Sequence, residues 1–285
     1  MMSPFIILVT VFFIVPVILT VAMSFTKMGF TLEWDFSGLD NFKRIAQDIY
    51  VPEIVRNTIV YVCCTLILNV LGSLIFSIFT TYSITKESHS VFFRAFWMLP
   101  RMTPSTVIIF MWVWFFAPTD YGFLNSILTA FGGQTVNWLI DYPMAASIFV
   151  NACIGISFGM LILSSAIKTI PQDLYLSAKV DGAKDWAIVG SIILPAIKWQ
   201  LMYVTIAQTL SLMTSYEYIM LLTNGGPMYS TTVWSMYAYR KAFKQSEYGY
   251  GATLSLLLVI VSVTLAFVLL RFFKFGKLMK DTRID

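Results

Sequence analysis

Long apolar blocks alternate with short polar gaps along the whole chain. The blocks run roughly over Pro4–Phe25, Ile54–Tyr82, Phe92–Ala117, Met144–Ile167, Leu201–Thr223 and Gly251–Phe273. A helix needs about 20 residues to cross a hydrocarbon core of ~30 Å, and each block reaches that length. The apolar positions fill the blocks continuously instead of marking one face, which predicts helices solvated by lipid. The fold class read from this pattern is an all-α integral membrane bundle of about six transmembrane helices. Pro16 and Pro104 fall inside two blocks, an interruption that membrane helices tolerate.

Composition agrees. Of 285 residues, 58% are hydrophobic and only 12% charged, with mean hydropathy +0.77, too few charges to coat a water-facing surface of this size. Cys63, Cys64 and Cys153 all lie within apolar blocks, so no disulfide framework is expected. The first apolar run is too long for a signal-peptide core, and no small-residue cleavage site follows it. The net charge of +4 calls for no nucleic-acid partner, because its distribution follows a membrane pattern.

That distribution sets the orientation. One set of gaps and the tail hold Lys86, Arg94, Lys168, Lys179, Lys184, Lys198, Arg271, Lys274, Lys277, Lys280 and Arg283. The opposite gaps hold Lys27, Lys43, Arg44, Arg56, Arg240, Lys241 and Lys244. The richer side is expected to be cytoplasmic, with both termini there. On the other side, residues 26–53 are expected to include a short amphipathic helix, residues 118–143 carry no Lys or Arg, and Asn224-Gly225-Gly226-Pro227 signals a turn. Trp234, Tyr237, Tyr239, Phe243, Tyr248 and Tyr250 follow it; such aromatics suit the membrane interface, a stacked sugar or a docking partner.

The fourth polar region reads Ile170-Pro171-Gln172-Asp173-Leu174-Tyr175-Leu176-Ser177-Ala178-Lys179-Val180-Asp181-Gly182-Ala183, and continues to Ile192-Ile193-Leu194-Pro195. Pro171 suits a first helical turn. Leu174, Ala178 and Asp181 recur at helical spacing, and Gly182 is placed to end the helix. A short helix over 171–182 follows, held between two spans. Taken alone, it reads as a surface helix at the lipid headgroups.

This segment resembles the EAA loop of binding-protein-dependent ABC importer permeases, whose pattern is Glu-Ala-Ala, three residues, Gly, nine residues, then Ile-x-Leu-Pro. Ala178, Gly182, Ile192, Leu194 and Pro195 match in type and spacing, and Asp181-Gly182-Ala183 matches the usual Asp-Gly-Ala. Leu176 stands where the family has Glu, and Ser177 replaces the first Ala. The resemblance continues in Phe93-Arg94-Ala95 through Leu99-Pro100, in Trp138-Leu139 and Ala145-Ala146, and in Gly38-Leu39-Asp40-Asn41-Phe42 with Asn57-Thr58. Leu222-Thr223-Asn224-Gly225-Gly226-Pro227, with Thr231-Thr232 and Tyr237, is similar to the sugar-uptake branch.

The resemblance implies a single permease domain over residues 1–285 with a coupling loop at 170–199, in a bacterial or archaeal cytoplasmic (inner) membrane. Leu176, Ser177, Ala178, Asp181, Gly182 and Ala183 would form an EAA-type coupling helix docked on an ATP-binding subunit. Implied partners are a second permease subunit, homologous and expected to be a different chain, two ATP-binding subunits, and an extracytoplasmic solute-binding protein. The implied activity is sugar or oligosaccharide import by alternating access. No Gly-x-x-x-x-Gly-Lys-Ser/Thr loop occurs, and Gly276-Lys277 lacks its partners. ATP and Mg are therefore assigned to the partner subunits and no cofactor to this chain. His89 is a lone loop histidine, and no metal cluster or nucleophile–base pair is evident, so the chain does not read as an enzyme.

Polar residues inside spans are costly and mark packing seams or watery paths. Asn151, Gly155 and Phe158 share one helical face, with Ser157 beside it, and Gln208, Ser211, Leu212 and Ser215 share another. Spacing alone admits helix packing or a solute path. The resemblance implies the path, because these positions match the face by which the larger permease of the maltose importer holds sugar. Arg101 and Glu217 are charges within spans. Arg101 is read as snorkelling, as ion-paired, or as a contact for an anionic sugar. Other classes stay open: an ion-coupled secondary transporter, an importer of a non-sugar solute, and a non-transporting scaffold.

Overall fold

The computed structural model describes residues 3–84, 86–273 and 275, with only the backbone of Ser3. Lys274, Lys277, Lys280 and Arg283 of the expected basic tail lie outside the described residues. Among the described residues there is no strand, only an isolated bridge between Thr26 and Phe36.

The first apolar block forms α1 (Pro4–Ser24), which relaxes into a π turn over Thr10–Ile14 just before Pro16. The proline therefore causes no break; the wider turn accommodates its missing N–H. The expected amphipathic helix is α2 (Asp40–Gln47), buried on its Asn41 and Ile45 face. The second block is α3 (Val51–Ser83).

The third block is two helices, α4 (Glu87–Met102) and α5 (Ser105–Phe115). Pro104 lacks an N–H and drives the preceding residue out of the helical region, and Thr103 is extended at φ −85°, ψ 142°. Two short helices follow, α6 (Phe123–Ala130) and α7 (Trp138–Asp141), tied by Asn125, whose side chain bonds the backbone of Ala117 and Val136 and the Trp138 indole. The fourth block is α8 (Pro143–Lys168).

Next come the short α9 (Gln172–Val180), then α10 (Asp185–Ala196) and α11 (Lys198–Thr214), which meet at 71° and together can form one bent span. The fifth block ends earlier than expected, since α11 stops at Thr214 and Ser215-Tyr216 separate it from α12 (Glu217–Leu222). Ser235 Oγ donates to the Ser215 carbonyl over 2.9 Å, satisfying an acceptor that the helix no longer uses. The chain ends with α13 (Trp234–Tyr239), a π turn over Arg240–Lys244, and α14 (Tyr248–Phe272). Four helices, α1, α3, α8 and α14, are individually long and apolar enough to cross a membrane. The broken α4–α5 pair occupies the third predicted block, whereas the fifth span is displaced: the bent α10–α11 pair begins at Asp185, inside the segment expected to be a polar loop, and the predicted block Leu201–Thr223 is divided between α11 and α12.

The described residues form two compact units, those within 1–60 and 213–265, and those within 61–212 and 266–275. The core of the first contains Ile45, Ile54, Tyr237, Tyr250 and Leu254. Its polar clasp is Asp48, which accepts the phenols of Tyr237 and Tyr250 and the backbone N–H of Tyr50. Burial alone would push the Asp48 carboxyl up. The bonds from Tyr237, the Tyr50 N–H and Tyr250, with the Lys241 charge nearby, outweigh it and hold the carboxyl below its usual range. Tyr237 and Tyr250 are thus core residues, whereas Phe243 is exposed. In the expected turn, Asn224 and Gly225 adopt positive φ (47° and 70°) and the Gly226–Pro227 bond is cis.

The core of the second unit gathers Leu163, Ile167, Ile170, Ile193, Ile197 and Val204, so that α8, α10 and α11 close on one another and Tyr175 of α9 packs against them.

Candidate solute path and coupling helix

Lipid gives helices no hydrophobic reason to associate, so small residues and interhelical hydrogen bonds decide which faces meet. On α8 the face carrying Asn151, Gly155 and Phe158 turns toward α3, α4 and α11. Asn151 Nδ2 donates to the Tyr61 hydroxyl over 2.9 Å, and both residues are buried. Gly155 lies against Asn69 of α3; a Cβ there would sit 2.7 Å from the Asn69 Cγ. The Gly155 carbonyl accepts Gln208 Nε2 of α11 over 2.9 Å, and Gln208 Oε1 accepts Asn69 Nδ2 over 3.2 Å. Three helices are therefore joined at one point, where a glycine leaves room for two amides.

Two residues further along α8, Ser157 Oγ donates to the Trp97 carbonyl over 2.8 Å. The Arg101 guanidinium lies 5.1 Å from the centre of the Phe158 ring. Among the described ion pairs none involves Arg101, which is exposed. Aromatic contact thus accompanies the charge where an ion pair was one expectation.

The structure brings Asn151, Gly155 and Gln208 into one polar seam and sets Arg101 on Phe158. Leu212 is buried and Ser211 exposed on α11, while Ser215 lies beyond the end of that helix. Glu217 opens α12, where a first-turn acid suits the helix dipole. The sequence reading missed Asn69, Tyr61 and the α3 wall of the seam. Tyr61, Thr65, Asn69, Ser73 and Ser77 recur every four residues inside an otherwise apolar block, a legible signal.

The motif residues fold as their types predict. Pro171 is the N-cap of α9. At the other end, Ala183 N–H reaches the Ala178 carbonyl and Gly182 N–H the Lys179 carbonyl, at 2.9 and 3.0 Å. This is a Schellman closure, and Gly182 supplies its left-handed residue at φ 77°. Leu176, in the place of the motif acid, is 59% exposed. Ser177 and Asp181 are exposed, and Ala178 and Ala183 half-buried.

A cavity of about 580 Å³ lies between this helix and the ends of α3, α4 and α8. Its walls include the Lys168–Glu87 ion pair, at 3.4 Å, and the rings of Tyr82 and Tyr175, 5.5 Å apart. Tyr82 donates to Asp185 Oδ1 over 2.6 Å, and Lys179 Nζ sits 5.7 Å above the Tyr82 ring. Burial pushes the Tyr175 phenol above its ordinary value. The turn after α9 is therefore fastened to the end of the second span. Among the described residues, no cluster of His, Cys, Asp and Glu could hold a metal ion.

Known proteins share this architecture. A bacterial ABC transporter involved in the import of the acidic polysaccharide alginate superposes with a TM-score of 0.84, at 21% identity, over 95% of this chain and 92% of that one. At this identity the likeness concerns the fold. A trehalose/maltose transport system permease of Thermococcus litoralis is 29% identical, over 99% of this chain and 94% of its own. A probable ABC transporter permease of Bacillus subtilis is 28% identical, over 93% and 92%. The profile of the family described as "Binding-protein-dependent transport system inner membrane component" matches residues 85–275, from the second polar gap to the last span. The chain is a multi-pass membrane protein and belongs to that family of binding-protein-dependent transport system inner membrane components.

Proposed function

We propose that this chain is the permease subunit of an ATP-driven importer that carries a sugar or oligosaccharide into the cytoplasm by alternating access. The observation that carries this reading is α9, a short rigid helix closed by Pro171 and Gly182 and fastened through Asp185 to Tyr82. Relatives named for uptake of trehalose/maltose, lactose and diacetylchitobiose support a sugar as solute.

The permease domain spans residues 1–285, with the coupling loop at 170–199. Both termini and α9 face the cytoplasm, and α9 docks on one of two ATP-binding subunits through Leu176, Ser177, Ala178, Asp181, Gly182 and Ala183. ATP and Mg belong to those subunits; this chain binds no cofactor. A homologous second permease supplies the other half of the path, and an extracytoplasmic solute-binding protein delivers the solute. A neighbour of the same fold has been seen with an oligosaccharide-loaded periplasmic protein, which supports that last partner.

When ATP closes the ATPase pair, α9 moves as a unit and the Asp185–Tyr82 bond, at the start of α10, carries the motion into α3. Asn151, Gly155, Phe158, Gln208, Ser211, Leu212 and Ser215 line the solute path, with Arg101 at its α4 wall. The test is purification with all partners, followed by ATPase assays with binding protein loaded with trehalose, lactose, diacetylchitobiose or alginate oligosaccharide. One of these sugars is expected to stimulate hydrolysis. Failure of any ATPase to co-purify, or uptake unaffected by Gly182→Val, would overturn the reading.

A further inference from the structure

The polar row on α3 has more hydrogen-bonding capacity than the seam uses. Tyr61, Thr65, Asn69, Ser73 and Ser77 are all 0% exposed. Tyr61 accepts from Asn151, Ser73 donates to the Ile156 carbonyl over 2.8 Å, Ser77 donates to the Leu74 carbonyl over 2.9 Å, and Asn69 donates to Gln208 through Nδ2. Two atoms of the row stay unpaired: Thr65 Oγ1 and Asn69 Oδ1 have no hydrogen-bond partner among the described residues. Leaving a buried polar atom unpaired costs about 1–3 kcal/mol, and lipid supplies no water to relieve it. Asn69 lies directly beside Gly155 and Gln208, and Thr65 precedes it by one helical turn on the same face of α3.

A seam built only for packing would pair these groups, as Ser73 is paired across to α8 and Ser77 within its own helix. Here the Asn69–Gln208 bond is long, at 3.2 Å, and it engages only one end of the Asn69 amide. We infer that Asn69, with Thr65, is a positioning residue of the solute path: it holds Gln208 against α8 while the seam is shut, and it faces the path when the seam opens. This rests on the function proposed above. Opening frees both ends of both amides, and each hydroxyl of a polyhydroxylated solute can donate to one and accept from the other. The orphaned atoms of the shut state are then the vacant hydrogen-bonding capacity of the open one.

The test uses the assembled transporter carrying Asn69→Cys, in a background of Cys63→Ala, Cys64→Ala and Cys153→Ala. It is labelled with a charged methanethiosulfonate reagent, both at rest and trapped with ATP and vanadate. Co-purification of the ATPase is scored first, so a failure of the permease reading is distinguished from a failure of this inference. The expected result is labelling at least about tenfold faster in one state than in the other. With the ATPase retained, a thiol that is dark in both states, or equally reactive in both, overturns the inference. Should Asn69→Cys not assemble, Thr65→Cys carries the same prediction and the same two overturning outcomes.

Discussion

Tyr82, at the end of the second span, donates its phenolic proton to Asp185, three residues beyond Gly182, over 2.6 Å. The two residues are 103 positions apart in sequence, so the bond makes the turn after α9 and the end of α3 a single mechanical piece. Its companion contacts, Lys179 over the Tyr82 ring and Tyr82 against Tyr175, keep the phenol in place.

Tyr82→Phe removes the bond and keeps the ring. A hydrogen bond to a charged group contributes about 1.5–3 kcal/mol, less where water competes as it does here. Stimulation of ATPase activity by loaded binding protein should fall about fivefold in Tyr82→Phe, with unstimulated hydrolysis unchanged. Unaltered stimulation would show that α9 moves the spans by another route.

Gly182→Val tests the end of the lever. Gly182 sits at φ 77° with open space around the position of a Cβ. The cost is therefore backbone strain, about 1–2 kcal/mol, and no clash. More strain is expected from valine, whose branched side chain suits this region least. The helix should fray at Ala178–Val180, and uptake should drop more than tenfold while the protein still reaches the membrane. Gly182→Asn, which tolerates the left-handed region, should retain most of the uptake.

Asp48 gives a pH prediction. Its folded pKa lies below the ordinary value of 3.8. A depressed carboxylate contributes stability that is fully present above the unfolded pKa and lost as pH falls through the folded one. Purified protein should therefore lose thermal stability as pH falls below about 4. Asp48→Asn should melt about 2–4 °C lower at pH 7 and show a shallower fall below pH 4. Differential scanning fluorimetry in detergent measures both, and parallel curves for the two proteins would contradict the assignment.

Arg101 offers a test of solute charge. Exposed and resting on Phe158, it is placed to meet an anion entering beside α4. Arg101→Gln should reduce uptake of alginate oligosaccharide about tenfold relative to uptake of trehalose, the effect of losing one charge-assisted hydrogen bond. Equal losses for both sugars would assign the residue to helix packing.

Much of this was legible in the sequence. Continuous apolar runs set the spans, and Pro171 and Gly182 fixed α9 because their backbone preferences act locally. The break at Pro104 was visible as a proline, but whether a membrane proline kinks or interrupts depends on what satisfies the freed groups, which no single sequence reports. The end of α11 depended on Ser235, 20 residues away, reaching the Ser215 carbonyl. Burial of Tyr237 and Tyr250 depended on Asp48, about 190 to 200 residues distant, whose carboxylate lets two phenols lie in a core. The α3 wall of the seam was printed as a four-residue period, yet its small hydroxyl residues also fit ordinary packing. What the sequence could not show is that Asn69 lies against Gly155 of α8.

That contact supplies a last prediction. A Cβ on Gly155 would sit 2.7 Å from the Asn69 Cγ and closer still to its Nδ2, inside any tolerable approach. Gly155→Ala should therefore push α8 and α3 apart and strain the Asn69–Gln208 bond, with a cost of about 1–3 kcal/mol. Thermal stability in detergent should fall by about 2–4 °C per kcal/mol. Asn69→Ala alone removes the obstacle but leaves the Gln208 carbonyl unpaired, so it too should destabilise. Because the two changes share one contact, the double variant should be more stable than the sum of the single losses by at least about 0.5 kcal/mol. Additive losses would mean that the helices absorb the alanine by shifting, and that Asn69 and Gly155 do not define the approach of α3 to α8.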